Sequence, residues 1–136
     1  MVFSETEKDS ITKLDLSNKG LTKFPMNILK LKNLKELNMG FNFIEEIPEN
    51  IDELENLERM SFYDNKIKKI PKRIGNMKNL TYITFRNNQL TTIPDEVENL
   101  TQCSGHIYCS GNPIIIESVS PQVMKMLGFG FVSTAH

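Results

Sequence analysis

The sequence has no basic excess: its 136 residues carry 16 Lys+Arg against 17 Asp+Glu, a formal net charge of -1. General nucleic-acid binding needs a cationic surface to neutralise phosphates, so no nucleic-acid partner is expected. Cysteine is scarce, and Cys103 and Cys109 are too few to frame a disulfide-built scaffold. No apolar run approaches the ~18 residues needed to span a bilayer, so no membrane partner is expected either. The opening residues Met1, Val2, Phe3, Ser4, Glu5, Thr6 and Glu7 lack the basic and apolar regions of a secretory leader. The glycines are scattered and form no phosphate loop, and no His/Cys cluster has structural zinc spacing. Neither cofactor nor metal is expected. A Cys/His nucleophile would need Cys103 or Cys109 beside His106. Each lies three residues away, an odd number along a strand-like segment, which turns the side chains to opposite faces. No catalytic residue is assigned, and the chain is not expected to be an enzyme. With 39% apolar and 24% charged residues it is expected to fold. Its length suits one domain, and the absences together predict a cytoplasmic protein.

What the chain does have is a repeat. Pro25, Pro48, Pro71 and Pro94 recur every 23 residues, preceded by Phe24, Ile47, Ile70 and Ile93. Asn42, Asn65 and Asn88 keep the same period, and Asn112 follows after one extra residue. With Ile11, Leu34, Leu57 and Leu80 as first positions, offsets 0, 3, 5, 10, 13, 17 and 20 are apolar in every one of four repeats. The third repeat, for example, supplies Leu57, Met60, Phe62, Ile67, Ile70, Ile74 and Met77. A truncated fifth unit with one inserted residue places Ile107, Cys109, Asn112 and Ile114 in matching slots.

Each offset has a physical reading. Offsets 3 and 5 share one face of a short strand. The Asn follows where the chain curls inward, and its amide can donate and accept to backbone of that buried turn. The residue before proline is biased toward extended backbone, so the Ile-Pro pair opens a return segment. Offsets 17 and 20 fit a helical turn with one buried stripe. One such coil cannot bury its own apolar residues, so coils must stack. Asn42, Asn65, Asn88 and Asn112 then form a ladder. In the first repeat Lys19 fills that slot and Asn18 comes one residue early.

The pattern LxxLxLxxNxLxxIPxxIxxLxx resembles that of leucine-rich repeat proteins, in the 23-residue class of intracellular Ras-group and adaptor proteins. The resemblance implies an α/β solenoid, with a parallel sheet on the concave side and short 3-10 or α turns on the convex side. It implies binding of proteins rather than catalysis. The organisation expected is an N-terminal cap over residues 1–10, repeats over 11–114, and a C-terminal cap and tail over 115–136. Ser4 with Glu7 has capping-box spacing. Ser120 and Pro121 read as N-cap and first helical residue, with Val123, Met124 and Leu127 facing inward and Gly128 stopping the helix. The tail, residues 129–136, with Phe129, Phe131 and Val132, is expected to pack on the cap.

Charges on the return segments alternate between repeats. Positions 23 apart lie on adjacent coils, so Lys23 falls beside Glu46 and Glu46 beside Lys69. Lys30 likewise falls beside Glu53, Lys32 beside Glu55, Glu45 beside Lys68, Glu49 beside Lys72, and Arg73 beside Glu96. These read as pairs that fix the stacking.

The outward slots of the sheet carry a different message. All three tyrosines fall there, and so do two arginines. Arg59, Tyr63, Tyr82, Arg86, His106 and Tyr108 converge on the third to fifth strands, with Phe41 at their flank. Tyr63 and Arg86 are neighbours in one lane and face each other across adjacent coils. Tyrosine and arginine are enriched in binding hot spots. The expected function is therefore a non-catalytic interaction module that binds a protein partner on this face as a monomer, in an adaptor or regulatory role. The partner should present acidic or aromatic groups. The alternatives are a self-assembling repeat protein, or a targeting domain of a larger catalytic chain.

Overall fold

Five short parallel strands stack in chain order: β1 (Lys13–Asp15), β2 (Glu36–Asn38), β3 (Arg59–Ser61), β4 (Tyr82–Thr84) and β5 (Ile107–Tyr108). The structure, a computed structural model, describes residues 2–132, with side chains described through Leu127. The register follows the repeat arithmetic. Leu37 pairs with Met60 and Met60 with Ile83, and the inserted residue brings Ile83 opposite Ile107. The sheet stays open, as expected for a leucine-rich-repeat solenoid.

Each strand returns through a 3-10 turn. Four of these, Met26–Lys30, Glu49–Glu53, Lys72–Asn76 and Asp95–Asn99, follow the repeated prolines directly. Pro25, Pro48, Pro71 and Pro94 all hold extended backbone at the cap position. A fixed φ near -65° suits that position, and proline has no N–H to leave unpaired there. The turns come out as 3-10 helices, not α-helices, which suits segments of a turn or so.

Between sheet and turns lies the core. The repeated apolar positions are buried throughout repeats two to four, while Ile11, Leu14 and Leu21 of the first repeat remain partly exposed at the end of the stack. Phe62 stacks on Phe85 with ring centroids 6.1 Å apart, and Phe24 closes on Phe62 at 6.4 Å. The asparagine ladder forms. Asn65 donates to the carbonyls of Met39 on the preceding coil and Phe62 on its own, and accepts from the Ile44 amide. Asn88 and Asn112 repeat the arrangement. At the N-terminal end Asn42 serves the first coil, accepting from the amides of Lys19 and Leu21 and donating to Leu16. Lys19 is thus held through its backbone.

Helix α1 (Glu5–Ser10) carries the full capping box: the Glu7 amide donates to the Ser4 hydroxyl, and Glu7 accepts from the Ser4 amide. Helix α2 (Pro121–Val132) starts where the Val123 amide donates to the Ser120 hydroxyl. Val123 and Leu127 are buried, and Met124 is half-buried. The expectation that Gly128 ends this helix is overturned, since α2 continues to Val132. Glycine costs a helix interior about 1 kcal/mol relative to alanine, which does not end a helix anchored by buried residues. The expected packing of the tail, residues 129–136, lies outside the described side chains.

The convex ion pairs correct the column arithmetic. Lys68 meets Glu45 at 3.2 Å, as expected. Lys32 instead reaches Glu53 at 3.6 Å, Lys69 reaches Glu49 at 3.9 Å, and Arg73 grips Asp52 at 2.8 Å. Long flexible side chains reach diagonally across the stack, so partners fall 20 or 21 residues apart as readily as 23. The asparagine oxygens also accept from amides 21 residues away, here because each short, buried side chain meets the backbone of the preceding coil just past that coil's own turn.

Candidate partner-binding face

The strands place alternate side chains on the sheet's outer surface. Lys13, Glu36, Arg59 and Tyr82 lie in one row by register, with Asp15, Asn38, Ser61, Thr84 and Tyr108 in another. Four of the sequence-predicted residues join in one stack. The Arg59 guanidinium lies 4.3 Å over the Tyr82 ring, and Tyr82 meets Tyr108 at 5.5 Å between centroids. The Arg86 guanidinium extends this stack, 4.7 Å over the Tyr108 ring. Cation–ring contacts of this kind contribute about 0.5–1 kcal/mol where exposed. They place two arginines over tyrosine rings before any partner arrives.

Tyr63 belongs to a second group. Its ring contact is with Phe41, at 5.3 Å, so the expected Tyr63–Arg86 facing pair is replaced by Tyr63 on Phe41 and Arg86 on Tyr108. His106 is exposed beside these groups, and its amide donates to the Cys103 carbonyl.

Electrostatics divide the face. Glu36 lies 3.3 Å from Lys13 and 3.8 Å from Arg59, so both cations share one carboxylate. Arg86 enters no ion pair among the described residues, and its buried Nε has no hydrogen-bond acceptor. Hydrogen bonds from the Ser17 hydroxyl and amide hold the Asp15 carboxyl below its ordinary range, so it is ionised at neutral pH. A depression of about 440 Å³ lies over β1 to β4, lined by Lys13, Asp15, Glu36, Asn38, Arg59 and Tyr82 among others. The depression thus reaches into the N-terminal half of the face, beyond the patch expected on the third to fifth strands. The Lys13–Glu36–Arg59 row was the available signal.

A second feature went unread. Asn18, Phe41, Asp64 and Asn87, with φ between 55° and 59°, and Gly111 at 76°, are all left-handed. They form one column at the carboxyl ends of the strands. There each amide still bonds the next coil: Asn18 to Gly40, Phe41 to Tyr63, Asp64 to Arg86, Asn87 to Ser110. Asn, Asp and Gly tolerate this conformation, while a bulky side chain is an outlier. The column's composition was the signal, and Phe41 obscured it. Phe41 and Phe43 are each just over half exposed.

The cysteines lie away from this surface. Both are buried, and burial pushes the thiols up, Cys103 to about 11 and Cys109 to about 12. Neither is a thiolate at neutral pH. Among the described residues no group of three or more His, Cys, Asp or Glu could hold a metal ion, and no helix is long and apolar enough to cross a membrane.

Known proteins share the architecture. Leucine-rich repeat family models match residues 55–101, in two copies, and residues 33–54. A leucine-rich repeat protein of Leptospira interrogans superposes with a TM-score of 0.77 at 34% identity, covering 89% of this chain and 30% of its own. The BIR2 ectodomain from Arabidopsis thaliana superposes with a TM-score of 0.67 at 20% identity, covering 74% of this chain and 55% of its own, a likeness of fold. The chain thus spans about a third of the first structure and about half of the second. No curated protein matches the sequence. The chain belongs to the leucine-rich repeat proteins. Members of that family generally mediate protein–protein contacts and are typically non-catalytic.

Proposed function

We propose that this protein is a monomeric interaction module that binds a protein partner on its concave face, in an adaptor or regulatory role in the cytoplasm. The observation that carries the reading is the stack of Arg59, Tyr82, Tyr108 and Arg86 on the sheet's outer surface. Rings and guanidinium planes held in place before binding lose little freedom on binding, which is what makes such residues effective anchors. Tyr63 and the exposed His106 complete the patch. The two buried, unpaired thiols support an intracellular setting.

The test compares two double variants against a partner recovered by affinity purification. Tyr63→Ala with Arg86→Ala should cost at least about 2 kcal/mol of binding, the usual hot-spot scale. Melting should be little changed. Lys13→Ala with Asn38→Ala should cost less. If the second pair weakens binding more, or only charge reversals on the convex side matter, the assignment is wrong. Light scattering that shows mass rising with concentration would favour self-assembly instead.

A further inference from the structure

Phe41 and Arg86 stand out on the same edge of the concave face for different reasons. Phe41 holds φ 56° in a column otherwise made of Asn18, Asp64, Asn87 and Gly111. Local backbone chemistry favours Asn, Asp or Gly at that position and disfavours a large ring. The ring is 53% exposed and rests on Tyr63, so the core does not account for it. Arg86 has the opposite deficit. It lies over the Tyr108 ring, in no ion pair among the described residues, with Nε lacking an acceptor. Arg59, by contrast, already shares Glu36.

The two features lie along one row, because Tyr63 and Arg86 hold equivalent positions on adjacent coils and Phe41 packs on Tyr63 from the coil before. Adjacent strands are about 4.8 Å apart, and an extended chain rises about 3.3 Å per residue. A segment crossing from the Phe41–Tyr63 step to Arg86 therefore advances two or three residues. We propose that this row receives an extended segment of the partner bearing an apolar side chain and, two or three residues along, a carboxylate. The apolar side chain sits against Phe41 and Tyr63. The carboxylate pairs with the terminal Nη nitrogens of the planar Arg86 guanidinium, since Nε is buried. This rests on the concave-face reading and adds to it the chemistry of the bound segment.

Selection from a random-peptide phage library on the full chain tests it. Enriched peptides should share Asp or Glu two or three residues from Leu, Ile, Met or an aromatic. A synthetic copy of an enriched peptide should lose about tenfold or more in Kd on Arg86→Gln and on Phe41→Asn, a step of ~1.4 kcal/mol each. Phe41→Asn installs the residue type the column favours, so its melting temperature should stay within a few degrees of wild type. Changing the peptide's acid to its amide should weaken binding to the wild type but not further to Arg86→Gln. Peptides that bind the concave face without an acid, or that ignore both substitutions, overturn the proposed segment and leave the concave-face reading standing. Peptides lost only on convex substitutions, or no enrichment at all, overturn both.

Discussion

Asn65 shows what one residue does in a stacked coil. Its side chain is buried and satisfies backbone groups on two coils at once, accepting from Ile44 and donating to Met39 and Phe62. Removing the amide leaves those buried groups without their partner. Asn65→Ala should therefore cost about 1–3 kcal/mol, read as a lower denaturant midpoint. A midpoint equal to wild type would remove the ladder argument here. Phe41 is the converse case. Relief of a left-handed phenylalanine is worth about 1–2 kcal/mol, which offsets much of what its ring contact with Tyr63 and its half-buried surface contribute. Phe41→Asn should then melt within a few degrees of wild type, and a larger fall would show that the strain argument is wrong. The ladder was legible in the sequence because asparagine recurs at a fixed period. The left-handed column was not, because φ leaves no periodic trace and Phe41 broke the composition that marks it.

At the scale of elements, the 3-10 turns pack closely where side chains permit it. Gly75 lies in the turn Lys72–Asn76, and a Cβ there would sit 2.6 Å from the Glu96 carbonyl oxygen and 3.0 Å from the Glu96 Cβ. The obstacle is backbone of the next turn, which cannot swing aside as a side chain tip does. Gly75→Ala should push the third and fourth turns apart and cost about 1–3 kcal/mol, measured by thermal melting. An unchanged melting temperature would mean the turns slide freely. Strand register, including the shift at β5, was readable from apolar offsets because burial enforces a period of two. The ion pairs were not, because lysine and arginine reach past their column neighbours. The same flexibility hid the split of the face into Phe41–Tyr63 and the arginine–tyrosine stack. Lane positions say which residues are adjacent and not which way a ring leans.

For the whole molecule, stability is a sum over neighbouring coils, and lateral contacts report on it. Asp52 ties the second turn to the third through Arg73 and Asn76. Burial alone would raise its carboxyl, but hydrogen bonds from Asn76 and Arg73, with the charge of Arg73, outweigh this and hold it below the ordinary range. A depressed carboxylate contributes stability above its unfolded pKa, near 3.9, that is lost as pH falls through the folded value. Asp52→Asn should thus melt below wild type at neutral pH by the equivalent of about 1 kcal/mol, modest because Arg73 is half exposed. The gap should narrow as pH falls below the unfolded value and through the folded one. A gap constant across that range would show that the carboxylate charge is not what matters.

The central claim is that the concave sheet, not the convex turns, meets the partner. Hydroxyl-radical footprinting tests it directly, because it reports side-chain exposure and aromatic and sulfur side chains react readily. In the complex, Tyr63, Tyr82 and Tyr108 should be protected, while Met26 and Ile116, about half exposed in the turns Met26–Lys30 and Ile116–Ser118, should oxidise as before. Protection of Met26 and Ile116 with the three tyrosines unchanged would contradict the account.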